Sequence, residues 1–85
     1  MNPDPIIKCY PRKEIGKILK NAREQKHLSQ QEVADRLFIS RPEVSKMEAG
    51  KVSIPVTRFL YYCLIVDISP SIVINKIVKI INPSH

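Results

Sequence analysis

The chain predicts an all-α domain, and two capping signatures with a helical apolar period carry that prediction. Ser29–Gln30–Gln31–Glu32 and Ser40–Arg41–Pro42–Glu43 both read Ser-x-x-Glu. In such a box the serine hydroxyl accepts from the third amide of the helix, and the glutamate reaches back to the cap amide. Leu37 closes the first of these two helices, so only Phe38–Ile39–Ser40 lies between them. Two short helices joined so tightly must cross steeply, the geometry of a helix-turn-helix.

The remaining elements follow in order. Residues 1–11 hold Pro3, Pro5 and Pro11. Proline fixes φ and restricts the residue before it, so this stretch reads as an extended or disordered arm. The alternative is that Ile6–Ile7 packs on the domain or on a partner. A first helix spans Arg12 to Lys26, with Ile15, Ile18, Leu19 and Ala22 inward and Lys13, Lys17, Lys20 and Glu24 in water. The second covers Gln30–Leu37 and buries Val33, Ala34 and Leu37. The third covers Arg41–Ala49 and buries Val44 and Met47, with Pro42 tolerated in its first turn. Gly50 stops it in the position that favours positive φ.

A fourth helix begins near Pro55, with Val56, Phe59, Leu60, Cys63 and Val66 as its core stripe. Tyr61, Tyr62, Leu64 and Ile65 leave its other faces apolar, so it needs cover on more than one side. Ser69–Pro70 then reads as a cap followed by proline at the first helical position. Residues 72–81 fit a fifth helix; their β-branched residues keep a strand as the alternative. No internal repeat is evident.

At 85 residues this is one small domain, of a size that often gains stability from a second subunit. The longest apolar run, Phe59 to Val66, is too short to span a bilayer, and the N-terminus lacks a secretory layout. A cytoplasmic protein is expected. Cys9 and Cys63 have no second ligand at metal spacing, so no metal is expected. Cys63 reads as a small buried hydrophobe and Cys9 as a free thiol, with a disulfide between them the lesser alternative. The net charge of +6 is concentrated in the first third of the chain. It is compatible with nucleic acid and equally with solubility alone. No nucleophile–base pair or glycine-rich phosphate loop appears, so neither an enzyme nor a cofactor is expected.

Three stretches together resemble the lambda-repressor-like (Cro and xenobiotic-response-element type) helix-turn-helix family. They are Ile15–Glu24, Leu28–Ala34 and Ile39–Lys51. The resemblance runs from about Ile15 to Ser69. It implies a compact five-helix domain, with the second helix over the DNA backbone and the third in the major groove. On that basis residues 12–69 form the DNA-binding domain and residues 70–85 a C-terminal helix and tail.

The resemblance also implies roles. Arg41, Pro42, Glu43, Ser45 and Lys46 match positions facing base edges, and Arg41 or Lys46 would meet guanine O6 and N7. Glu43 is explained equally by its capping role. Gln30, Ser40, Lys51 and Ser53 match backbone contacts, and Gln30 also supports the recognition helix. Arg23 and Glu48 match a pair tying the first helix to the end of the third. The family often has glycine where this chain has His27 and Phe38. A bulky Phe38 therefore strains or shifts the turn, and its ring fills a pocket or lies against DNA.

One such domain reads few base pairs, so a homodimer on half-sites about 34 Å apart is expected. Tyr61, Leu64, Ile65, Ile74, Ile77, Val78 and Ile81 are the candidate interface; the alternative is that the fifth helix simply packs on the fourth. The implied function is a dimeric transcriptional repressor. The alternatives are an antitoxin that binds a protein partner through its C-terminal apolar surface and autoregulates its operon, and a bridging coactivator with weak DNA affinity.

Overall fold

Each of the predicted segments is helical in the computed structural model, which describes residues 11–81. They are α1 (Arg12–Gln25), α2 (Gln30–Leu37), α3 (Arg41–Glu48), α4 (Val56–Ile65) and α5 (Pro70–Ile81). The expectations for Cys9 and for the arm before Pro11 lie outside the described residues. The ends of α1 and α3 fall one residue before those expected.

The helices are started by two devices. Ser29 accepts from Glu32 N at 3.0 Å while Ser29 N donates to Glu32 Oε1 at 2.8 Å. Ser40 and Glu43 make the same exchange, at 3.3 and 3.1 Å. These bonds hold both exposed carboxyls below the usual range, each led by the backbone hydrogen bond from its serine. By contrast α1 and α4 begin behind Pro11 and Pro55, neither of which supplies a side-chain cap.

A single closure ends the first four helices. At α2, Phe38 N donates to Asp35 O and Ile39 N to Ala34 O, the paired bonds of a Schellman motif. His27–Leu28, Gly50–Lys51 and Asp67–Ile68 repeat it at α1, α3 and α4. The motif needs a left-handed residue: φ is 58° at His27, 59° at Phe38, 59° at Asp67 and 73° at Gly50. Three of these joints share one pattern, a left-handed residue, then Leu or Ile, then Ser: His27–Leu28–Ser29, Phe38–Ile39–Ser40 and Asp67–Ile68–Ser69. The middle residue folds back half-buried against the core, and the serine stands ahead of the next helix. Sequence reading found no repeat because this one is confined to three residues.

Leu19, Val33, Ala34, Val44, Met47, Tyr62, Cys63, Val66 and Val73 fill the core. Burial pushes the Cys63 thiol up to about 11, so it sits there as a neutral hydrophobe. The α4 stripe differs from expectation. Val56 and Leu60 are exposed, at 72% and 45%, whereas Tyr62 is fully buried. Phe59, Tyr62, Cys63 and Val66 are the helical stripe that faces inward, and Tyr62 can join it because its hydroxyl finds a buried acceptor. The last segment is a helix despite its β-branched residues. Val73 and Ile77, four apart, face the core, and a strand would have turned Asn75 inward with them.

The close packing of α1 on α3 depends on Gly16. A Cβ there would meet the Met47 carbonyl oxygen at 2.5 Å and crowd that of Glu48 as well. Helix propensity alone would favour alanine by about 1 kcal/mol. The contact is with rigid backbone, so overpacking dominates, and Gly16→Ala should lose about 1–3 kcal/mol in chemical denaturation. A gain in stability would show that α1 and α3 are not held this close.

Candidate nucleic-acid interface

A buried carboxylate organises the site. Glu48 is the last residue of α3, where the carbonyl end of the helix dipole disfavours negative charge. It is only 6% exposed, so it requires donors. Arg23 on α1 supplies two, Nε to Oε2 at 2.7 Å and Nη2 to Oε1 at 3.0 Å. Gln30 on α2 donates from Nε2 to Oε1 at 3.0 Å, and the Tyr62 hydroxyl on α4 donates to Oε2. Arg23 Nη1 also donates to Leu28 O at 2.8 Å, at the joint between α1 and α2. One carboxylate thus receives donors from three other helices. No buried side-chain nitrogen or oxygen among the described residues lacks a partner.

The electrostatics follow from this arrangement. Burial pushes the Glu48 carboxyl up, but hydrogen bonds from Arg23, Tyr62 and Gln30 outweigh it and hold the group below its usual range. Burial, then the bond to Glu48, raises the Tyr62 phenol well above its ordinary value. Arg23 is likewise raised, chiefly by its bond to Glu48.

This network fixes the inner face of α3, where Val44 and Met47 are also buried, and leaves the outer face free. Arg41 and Ser45 lie four apart, as do Pro42 and Lys46, and all four are exposed. The ion pairs among the described residues are Arg23–Glu48, Lys26–Asp67 and Arg58–Glu43, so Arg41 and Lys46 enter none of them. Glu43 is committed elsewhere: Oε1 serves the Ser40 cap, and Oε2 lies 3.6 Å from Arg58 Nη1. Ser40 is exposed, with its hydroxyl engaged by Glu43. Lys51 and Ser53 are exposed in the loop after α3. Gln30 is half-buried, its amide nitrogen held by Glu48. Phe38 fills no pocket; the residue is 93% exposed.

On α4 and α5, Tyr61, Leu64, Ile74, Val78 and Ile81 are exposed, while Ile65 and Ile77 are half-buried against the core. Ile74, Ile77 and Val78 line an apolar groove of about 290 Å³ with Ile15, Phe59 and Leu60. No group of three His, Cys, Asp or Glu among the described residues could hold a metal ion. No helix among them is long and apolar enough to cross a membrane.

Sequence reasoning missed Tyr62 as a partner of Glu48, and the signal was present. Tyr62 follows Phe59 by three and precedes Val66 by four, the spacing of a buried helical stripe. It also missed Arg58 opposite Glu43, which adjacency in sequence cannot reveal.

The lowered Glu48 value fixes the sign of an acid transition. Its stabilising contribution is complete above the ordinary carboxyl value of 4.5 and lost as pH falls through the depressed folded value. Glu48→Gln should flatten that acid limb in urea titrations run across pH, and should lose about 3–5 kcal/mol at neutral pH because Arg23 stays buried. Tyr62→Phe should cost about 1–3 kcal/mol and make the acid limb shallower without removing it, because Arg23 and Gln30 still hold the Glu48 carboxyl down. An unchanged acid limb in Glu48→Gln would contradict the assignment.

A helix-turn-helix family profile of the lambda-repressor/XRE-like type matches residues 19–72, well over half of the chain. No curated protein matches it. The capping boxes, the tight joint and the two-sided third helix agree with that profile, and the chain belongs to this family of DNA-binding helix-turn-helix regulators.

Proposed function

We propose that this chain binds double-stranded DNA sequence-specifically as a homodimer and represses transcription by occupying an operator. The observation that carries the reading is the two-sidedness of α3. Its inner face is fastened by Val44, Met47 and Glu48, and its outer face leaves Arg41, Pro42, Ser45 and Lys46 exposed.

The roles follow from the chemistry of each side chain. The Arg41 guanidinium is a planar fork that suits guanine O6 and N7, and Lys46 adds a point charge one helical turn along. Ser45 donates or accepts at either edge, and the Pro42 ring offers apolar contact to a thymine methyl. Glu43 acts mainly through the cap it makes, with a cytosine amine as its only base partner. Ser40, Lys51 and Ser53 flank α3 and serve the phosphates. Gln30 is positioned at the first turn of α2, and its free amide oxygen and backbone N–H face the same task.

The dimer reading draws support from the apolar surface of α4 and α5. Leu64 is 76% exposed and Tyr61 60% on α4, and Ile74, Val78 and Ile81 are exposed on α5. So many exposed large apolar side chains on two helices of a small domain favour a covering partner. In such a dimer each subunit carries its own α3, which suits two half-sites one DNA turn apart. In this reading residues 12–69 read DNA and the segment from residue 70 pairs subunits.

Selection of sites from a random duplex library at near-physiological salt tests both halves at once. The native chain should recover a palindromic consensus with half-sites about 34 Å apart. A variant carrying Arg41→Ala and Lys46→Ala should lose that consensus while folding normally. A consensus without two-fold symmetry would contradict the dimer. Absence of any enriched sequence would contradict operator recognition and favour the antitoxin-type reading, in which the same apolar surface holds a protein partner.

A further inference from the structure

Three joints place a non-glycine residue in the left-handed region, and one of them differs from the others in kind. Histidine and aspartate enter that region at modest cost, as His27 and Asp67 do here. A bulky aromatic residue does not, yet Phe38 sits at φ 59°. Burial does not offset the strain, because the residue is 93% exposed. Glycine would make the same Schellman closure without strain and without an exposed ring. Phe38 therefore carries two unfavourable features that the fold does not use.

Its place in the chain points to what does use them. Phe38 ends α2 two residues before Ser40, the cap of α3, and so lies in the joint that leads directly into exposed Arg41 and Pro42. Exposed Arg36 and Arg41 lie on either side of it in sequence. Cationic neighbours suit a ring that approaches a polyanion better than one that docks on an apolar protein surface.

We propose that the Phe38 ring is an apolar DNA contact, seated on the deoxyribose face of the strand that borders the groove entered by α3. This rests on the DNA-binding reading above. The ring is uncharged, so it displaces no counterion, and its contribution adds to affinity at every salt concentration alike.

The test measures thermal stability and duplex binding across salt concentrations for the native chain, Phe38→Gly and Phe38→Tyr. The probe is the consensus duplex from the selection described above. Phe38→Gly should unfold at the same or a higher temperature, bind about tenfold more weakly, and keep the native slope of log K against log salt. Phe38→Tyr retains the ring and should keep the native affinity. Native affinity in Phe38→Gly would overturn the proposal, as would an affinity loss that accompanies loss of stability. If the native chain itself fails to bind any duplex, the DNA reading fails and takes this contact with it.

Discussion

The buried carboxylate of Glu48 is the constraint on which the rest of the molecule depends. A charge at the carbonyl end of a short helix, out of contact with water, is unfavourable on two grounds. It persists because Arg23, Gln30 and Tyr62 bring donors from three different helices. Each donor must arrive at a fixed distance and angle, whereas apolar contacts tolerate sliding. Hydrophobic burial of Leu19, Val33, Val44 and Met47 drives the chain together, and the polar cluster selects one arrangement of the assembled helices. Buried ion pairs contribute less to net stability than to such selection in some proteins, and this geometry fits that role.

That selection matters for function because α3 is only two turns long and shows its outer face to solvent. A helix of that length has little intrinsic stability, and its orientation comes from what holds its ends. Glu43 and Ser40 cap its first turn, with Arg58 beside Glu43 tying that end to α4. Glu48 ties the other end to α1, α2 and α4. The exposed side chains between these two anchors are thus carried by a helix held at both ends, and Gly16 lets α1 approach closely enough for Arg23 to reach. Gln30 links the two halves of the motif: it opens α2, and its amide nitrogen serves Glu48 at the end of α3.

The parts of this plan that sequence reveals are those written in neighbouring residues. Both capping boxes, the stop at Gly50 and the apolar stripes of α1, α2 and α3 are local patterns with a physical reason at each position. The joints were harder, because a Schellman closure is recognised by its glycine and only one of four joints has one. His27, Phe38 and Asp67 take the left-handed place instead, and the Leu or Ile that follows each is the better signal. Tyr62 falls among the apolar residues outside the expected core stripe of α4, because sequence does not show the acceptor that its buried hydroxyl needs. That acceptor lies fourteen residues away on another helix. The fifth helix was ambiguous for the opposite reason: its composition favours a strand, and only packing of Val73 and Ile77 on α1 and the core decides the matter.

The claim that the Glu48 cluster orients α3 more than it stabilises the fold is best tested by replacing its three buried members together. A chain carrying Arg23→Met, Glu48→Leu and Tyr62→Phe removes both buried charges and the phenol, while Gln30, half-buried at the surface, turns its amide to water. Stability and DNA affinity would be measured on the same samples. The account predicts a chain of native or greater stability whose operator affinity has fallen by at least tenfold, because α3 is no longer held at one angle. A chain that binds the operator as tightly as the native protein would contradict it and leave the cluster a structural accessory to an apolar core.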